Sequence, residues 1–416
     1  DPRMEAMALA RLRQLSAHEV GHTLGLLHNF SASPENRASV MDYPYPYIQV
    51  DADGNLDFSE AYGLGIGEWD KRTILYGYQD FSEGVDTTTA LQRILTENEE
   101  EGFSYLADAD ARPAYGASPH AHLWDNGSPI DELRRLALVR RTALAHFGIN
   151  NIRKYSPMAE LERVLVPLYL AHRYQTEAVT KLIGGVNYSY AVRGSETPRN
   201  EMIDDGTQRN ALSALVETLQ PQFLTLPESI TQLIPPQPVG YQRDRELFKV
   251  NTGLTFDPIA AAESSASATI WFLLNHQRLA RVVEQHARDT NRLSIFDVFD
   301  ELLSGVAVNT NQSSFEKEIA RGVEKLVVQN LLRLAADKGG FQQVTAAALF
   351  KINQIEESYQ RRSDSTSDSA QKAHFNYLLR EIDLFKNHPN KFEPTRGPDM
   401  PDGSPIGCGM MHDQWE

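Results

Sequence analysis

Three histidines near the start of the chain have the spacing of a metal-binding site. His18 and His22 are four residues apart, so on an α-helix both imidazoles lie on one face, as two nitrogen ligands of one zinc ion require. Glu19 flanks the same face, where a carboxylate can take a proton from a zinc-bound water without being a ligand. Gly25 can take a positive φ and end the helix, so that the chain turns and returns His28 as a third ligand. Three protein ligands leave a fourth position open for water, which is typical of a catalytic zinc site.

The full pattern is far more specific than the short motif on which it builds. HExxH alone occurs by chance in many helices, and a surface helix with three incidental histidines is the structural alternative. The extended form HExxHxxGxxH, over residues 18–28, is much more demanding. The sequence therefore predicts Zn2+ as the cofactor, with His18, His22 and His28 as its ligands.

A second motif, SVMDYP, follows at residues 39–44. The extended zinc motif with a Met-containing turn close behind it resembles the metzincin metalloproteases. This resemblance implies that Met41 forms an apolar floor under the zinc site, while simple core packing of a methionine is the alternative. It also implies, as in the astacin and serralysin branches, that Tyr43 is a further zinc ligand and then stabilises the tetrahedral intermediate. The alternative for Tyr43 is a buried core or turn tyrosine with its hydroxyl paired.

Over its whole length the chain is similar to a bacterial family of zinc-dependent metalloproteases with a Met-zincin domain. The similarity includes HNFSAS after the zinc motif, SVMDYPYPYI, and AYGLGIGEWDKRTILYGY. Only the zinc and Met-turn motifs bear on the chemistry. Because members of this family are large secreted or envelope proteins of Gram-negative bacteria, we expect a secreted or periplasmic location.

Helices and one tight turn must position these residues. Apolar residues near a 3.6-residue period predict one helix over residues 4–28, and residues 67–77 predict a shorter helix that closes the catalytic part. Residues 50–58, VDADGNLDF, have the alternating oxygens of a calcium loop, but Gly54 does not lie where an EF-hand needs its glycine. A hairpin turn through Asp53 and Gly54 is the favoured interpretation.

The chain as a whole is predicted to have a mostly α fold with four segments. Residues 1–82 form the zinc-binding and Met-turn part of a metzincin catalytic domain, and residues 83–128 form an irregular linker. Residues 129–388 form an α-helical domain, in which one long helix covers 257–288. Residues 389–416 form an irregular tail.

Composition limits the possible partners. The chain has 416 residues and a net charge of −16, which argues against nucleic acid or an anionic membrane surface as a partner. No apolar run approaches the length of a membrane span. The single cysteine, Cys408, excludes an internal disulfide framework. No nucleotide-binding loop and no GxSxG elbow is present, so a serine hydrolase has no support.

The zinc motif begins unusually early in the chain. The first residue is Asp1, and no signal peptide is visible. The metzincin resemblance implies a twisted sheet ahead of the zinc helix, with an edge strand that aligns the substrate. We therefore expect this chain to be a fragment of a longer protein, whose missing N-terminal part is a partner.

These observations predict a zinc-dependent endopeptidase that acts on peptide or protein substrates. Glu19 would activate a zinc-bound water, and Tyr43 would donate a hydrogen bond to the oxyanion. A different class of function is also open, in which the chain is a zinc-binding but inactive helical scaffold or interaction fragment of a larger protein. A third alternative is a metal-dependent hydrolase of non-peptide substrates.

Overall fold

The computed structural model confirms a mostly α-helical fold. It describes residues 2–32, 37–43, 46–111, 113–120, 127–194, 200–395 and 397–401. Within these ranges the strands form two antiparallel ribbons of two strands each. No described helix is both long enough and apolar enough to cross a membrane. Most of the tail predicted as irregular, including Cys408, lies outside the described residues.

The chain forms two compact units. The described residues of the first unit fall within 1–145 and 174–203, and those of the second unit fall within 146–173 and 204–403. The helix Pro129–Ala145, which the sequence assigns to the helical domain, belongs to the first unit. The predicted functional division at residues 82, 128 and 388 stays a prediction.

The first unit contains the zinc motif and the elements around it. In chain order these are α1 (Pro2–Thr23), β1 (Gln49–Val50), β2 (Leu56–Asp57), α2 (Glu68–Tyr78), α3 (Thr87–Glu100), α4 (Asp108–Ala111), α5 (Pro129–Ala145), α7 (Arg173–Thr180), β3 (Val186–Tyr188) and β4 (Asn200–Met202); α6 (Leu161–Tyr169) belongs to the second unit. Two helices, α3 and α4, lie in the segment that the sequence predicts as an irregular linker. An Asp86 side chain that accepts from the Thr88 amide caps the start of α3.

The zinc helix ends earlier than the apolar period predicts. The sequence predicts one helix over residues 4–28, whereas α1 ends at Thr23. Gly25 takes φ +83°, the left-handed conformation that glycine adopts without steric cost, and the amide of Leu26 turns back to the carbonyl of Gly21. The apolar residues after Thr23 therefore belong to a turn that folds back over α1.

The predicted hairpin is confirmed. β1 and β2 pair antiparallel, with Val50 opposite Leu56. One carboxylate oxygen of Asp51 accepts from the amides of Asp53 and Asn55, at 3.0 and 2.8 Å. The acidic side chain of Asp51 thus stabilises a tight turn, as aspartate does at such positions.

The second unit is a bundle of helices around an apolar centre. Its helices are α6 (Leu161–Tyr169), α8 (Asp205–Glu217), α9 (Pro221–Leu224), α10 (Glu228–Thr231), α11 (Pro258–Leu273), α12 (His276–Arg288), α13 (Ile295–Gly305), α14 (Ser314–Ala336), α15 (Gln342–Ser365) and α16 (Ser369–Asn387). The prediction of one helix over 257–288 is wrong. The Asn275 side chain accepts from the amides of Gln277 and Arg278, which caps a new helix and separates α11 from α12.

Candidate metal centre

The structure brings the three histidines of the zinc motif together. His18 and His22 lie one turn apart on α1, and His28 follows the turn at Gly25. The Nε2 atom of His22 is 3.1 Å from Nε2 of His18 and 3.2 Å from Nε2 of His28. Zn–N bonds of about 2.0–2.1 Å in a tetrahedral site place ligand nitrogens about 3.3–3.4 Å apart. The spacing of these nitrogens therefore fits one zinc-sized cation.

The outer ring nitrogens of the first two histidines contact main-chain oxygens. Nδ1 of His18 donates to the carbonyl of Val40 at 2.7 Å, and Nδ1 of His22 donates to the carbonyl of Leu26 at 2.9 Å. Because a carbonyl oxygen can only accept, the proton lies on Nδ1 and the Nε2 lone pair is free to bind a metal. Burial lowers the pKa of His18, against a smaller raising effect of the Val40 carbonyl, so this ring is neutral at pH 7.

The outer nitrogen of the third histidine contacts a carboxylate that the sequence pattern did not indicate. Nδ1 of His28 lies 3.0 Å from Oδ2 and 3.2 Å from Oδ1 of Asp108, the first residue of α4. The two residues are 80 positions apart, so no short motif contains both. A carboxylate on the outer nitrogen of a ligating histidine is a common arrangement at zinc sites.

The donor set thus passes a chemical test for a metal ion. Three imidazoles direct their Nε2 atoms towards one another, and the ligand atoms of the three all lie within 4.8 Å of one another. Lone pairs that face each other at this distance repel unless a cation lies between them. Among the described residues, this is the one group of three or more His, Cys, Asp or Glu side chains with such close donor atoms.

Met41 lies directly against the zinc helix. Residues 39–43, here called the Met-turn, include a fully buried Met41 whose sulfur would be 2.3 Å from a Cβ at position 21. Gly21, the fourth residue of HEVGH, therefore allows the methionine to approach the helix between its first two histidines. The role of Met41 as an apolar floor under a bound zinc stays a prediction.

A buried carboxylate from α2 holds the Met-turn in place. Asp70 is only 1% exposed, and its Oδ1 accepts from the hydroxyl of Ser39 at 2.6 Å. Its Oδ2 accepts from the amides of Val40 and Gly67, at 2.9 and 2.7 Å. The sequence predicted the helix but not this role. The available signal was the acidic residue in the first turn of α2, where it caps the helix.

The two remaining predicted residues lie beside the histidines. The hydroxyl of Tyr43, a buried residue, is 2.9 Å from Nε2 of His28. Glu19 follows His18 on α1 and is exposed to solvent. Its carboxylate is close enough to raise the pKa of His18, although burial of the ring has the larger, opposite effect. The structure therefore places a phenol hydroxyl at the centre, while the role of Glu19 stays a prediction.

The comparisons with known proteins agree with this centre. A family model described as Met-zincin matches residues 1–314 of the 416. The matched region includes all the residues of the metal centre and ends at the first residue of α14. No curated protein and no solved structure matches the chain. With three quarters of its length matched and the histidine and methionine residues of the motif brought together, the chain belongs to the Met-zincin family.

Proposed function

We propose that this protein is a zinc-dependent endopeptidase that hydrolyses peptide bonds in peptide or protein substrates. The observation that carries the proposal is the convergence of the Nε2 atoms of three histidines beside the Tyr43 hydroxyl. Membership of the Met-zincin family supports the same chemistry. Three imidazoles also suit copper, iron or nickel, so the choice of zinc depends on the family.

Each residue has a distinct role in the proposed reaction. A zinc ion held by His18, His22 and His28 would polarise the scissile carbonyl and make water acidic enough to ionise near neutral pH. Glu19, an exposed residue next to His18 on α1, takes the proton from the attacking water and passes it to the leaving amine. Tyr43 donates a hydrogen bond to the oxygen on which negative charge develops.

Glu19→Gln tests the proposal with a nearly isosteric change. We expect this variant to keep its zinc content, because Glu19 contributes no ligand atom to the histidine cluster, and to lose chelator-sensitive cleavage of casein. Glu5→Gln, an exposed glutamate on the same helix, is the matched control and should cleave like the parent protein. Cleavage by Glu19→Gln at the parental rate would contradict the mechanism.

The same assay separates the alternative functions. A zinc-binding scaffold without activity would retain zinc and show no chelator-sensitive cleavage in the parent protein. A hydrolase of non-peptide substrates would fail on casein and on peptide amides but cleave esters or other substrates in a zinc-dependent way. A secreted or periplasmic location stays a prediction, because no described residue bears on it.

A further inference from the structure

The third histidine differs from the other two in how its ring is oriented. His18 and His22 donate to main-chain carbonyls that any sequence would supply. His28 instead donates to the side chain of Asp108, and its own side chain is 14% exposed. It also lies outside α1, after a glycine turn, so the helix does not hold it. The orientation of the His28 ring therefore depends on a side chain, the Asp108 carboxylate. The other two rings are oriented by main-chain carbonyls.

The segment before α4 pairs with the residues that follow His28. The amide of Phe30 donates to the carbonyl of Leu106 at 3.0 Å. The fully buried side chain of Asn29 donates to the carbonyl of Ser104 at 3.0 Å and accepts from the amide of Leu106 at 3.3 Å. Residues 104–106 are thus joined to the chain immediately beyond the third ligand.

The other side of α4 is attached to the region around β3. The two carboxylate oxygens of Asp110 accept hydrogen bonds from the phenol hydroxyls of Tyr188 and Tyr190, one each. The ammonium group of the fully buried Lys181 donates to the carbonyl of Ala111, the last residue of α4. A helix of four residues is too short to be stable alone, so these contacts keep its position.

Apolar packing joins this support to Tyr43. Phe30 and Tyr43 stack with ring centroids 5.9 Å apart, and Leu106 and Ala111 complete the same buried cluster. The ring of Tyr188 packs against it. The residue that presents its hydroxyl to His28 and the segment that presents Asp108 therefore share one core.

We propose that Asp108 is a positioning residue of the metal centre, presented by segment 104–111. Its carboxylate keeps the proton of His28 on Nδ1 and aims Nε2 at the point where the other two histidines converge. In this arrangement Asp108 hydrogen-bonds to His28, and His28 would bind the metal. Asp108 itself would contact neither metal nor substrate. The inference rests on the proposed function only in assuming that a metal is bound.

Zinc affinity is the first measurement. The zinc dissociation constant of Asp108→Ala, from competition with a chromophoric chelator, should rise about 10- to 100-fold relative to the parent protein. Asp108→Asn, whose amide oxygen still accepts from Nδ1, should recover most of this loss. Asp80→Ala, an exposed aspartate just after α2, is the matched control and should bind zinc like the parent.

Nitrogen NMR of the zinc-loaded protein with 15N-labelled histidine separates positioning from general support. In Asp108→Ala the Nδ1 and Nε2 signals of His28 should move, while those of His18 and His22 should stay, since main-chain carbonyls hold them. Unchanged affinity and unchanged His28 signals in Asp108→Ala would overturn the inference, as would equal disturbance of all three rings. A parent protein that binds no zinc would instead overturn the proposed function.

Discussion

Gly21→Ala tests the close approach of the Met-turn to the zinc helix. A Cβ at position 21 would lie 2.3 Å from the sulfur of Met41, and Met41 is fully buried. Alanine is more favourable than glycine inside a helix by about 0.8–1.0 kcal/mol. Forcing an extra carbon into a packed core costs about 1–3 kcal/mol. The core effect is the larger, so we expect the free energy of unfolding to fall by about 1 kcal/mol.

The same substitution at Gly77 is the control, and its effect should have the opposite sign. Gly77 is exposed on α2, where no described atom lies within 4 Å of an added Cβ. Only the helix preference acts there, and Gly77 lies in the last turn of α2, so Gly77→Ala should gain at most about 0.8–1.0 kcal/mol. In a unit of this size, 1 kcal/mol corresponds to about 2–4 °C in Tm. Calorimetry of the zinc-loaded proteins should therefore show Tm lowered for Gly21→Ala and raised for Gly77→Ala, each by a few degrees.

A double-mutant cycle identifies the contact that is responsible. In a Met41→Ala background the sulfur is absent, so Gly21→Ala should become stabilising, as it is at Gly77. The two substitutions would then be strongly non-additive. A rise in Tm for Gly21→Ala alone, equal to that of Gly77→Ala, would refute the close packing of α1 on the Met-turn.

Two further predictions address the Tyr43 hydroxyl and a buried histidine of the second unit. Tyr43→Phe keeps the ring that stacks on Phe30 but removes the oxyanion donor, so zinc content should persist while kcat for casein-derived peptides falls about 100- to 1000-fold with little change in KM. In the second unit, burial lowers the pKa of His276, against the raising effects of Asp337 and of the Leu334 carbonyl, and Arg333 lowers it slightly further. Because the unfolded chain binds this proton near pH 6.5 and the folded unit only at lower pH, acidification below about 6.5 favours unfolding. His276→Gln should therefore lose less Tm than the parent between pH 7 and 5.5, and an equal loss in both proteins would contradict this reasoning.

The ligands of the proposed centre could be predicted because their geometry is local. Two imidazoles four residues apart on a helix share a face, whatever the rest of the chain does. A glycine three residues beyond the second histidine indicates where the helix can end. The structure shows both features, with His18 and His22 on α1 and Gly25 at φ +83°. The apolar period nonetheless extended the predicted helix to residue 28, because it does not distinguish a helix from a turn that packs on the same core.

The helices of the second unit show the same limit. The sequence predicted one helix over 257–288, since apolar residues continue across the junction. The structure has two helices, because the Asn275 side chain satisfies the amides of Gln277 and Arg278 and so begins α12. An asparagine favours a helix start over a helix interior, and in this case that local signal outweighs the apolar pattern.

The groups that orient the ligands could not be predicted, and the reason differs between them. His18 and His22 donate to main-chain carbonyls, which every residue carries, so no residue type in the sequence marks that support. His28 donates to a carboxylate, which is a distinctive group. That carboxylate is 80 residues away in the sequence, and only the folded chain brings it to His28. Asp70 is likewise an ordinary helix-capping residue by its sequence, and only burial against the Met-turn gives it a second role. A short motif therefore specifies which atoms converge, while the precision with which they converge depends on tertiary contacts. For this reason we expect Asp108→Ala to lower zinc affinity although it leaves every residue of the motif intact.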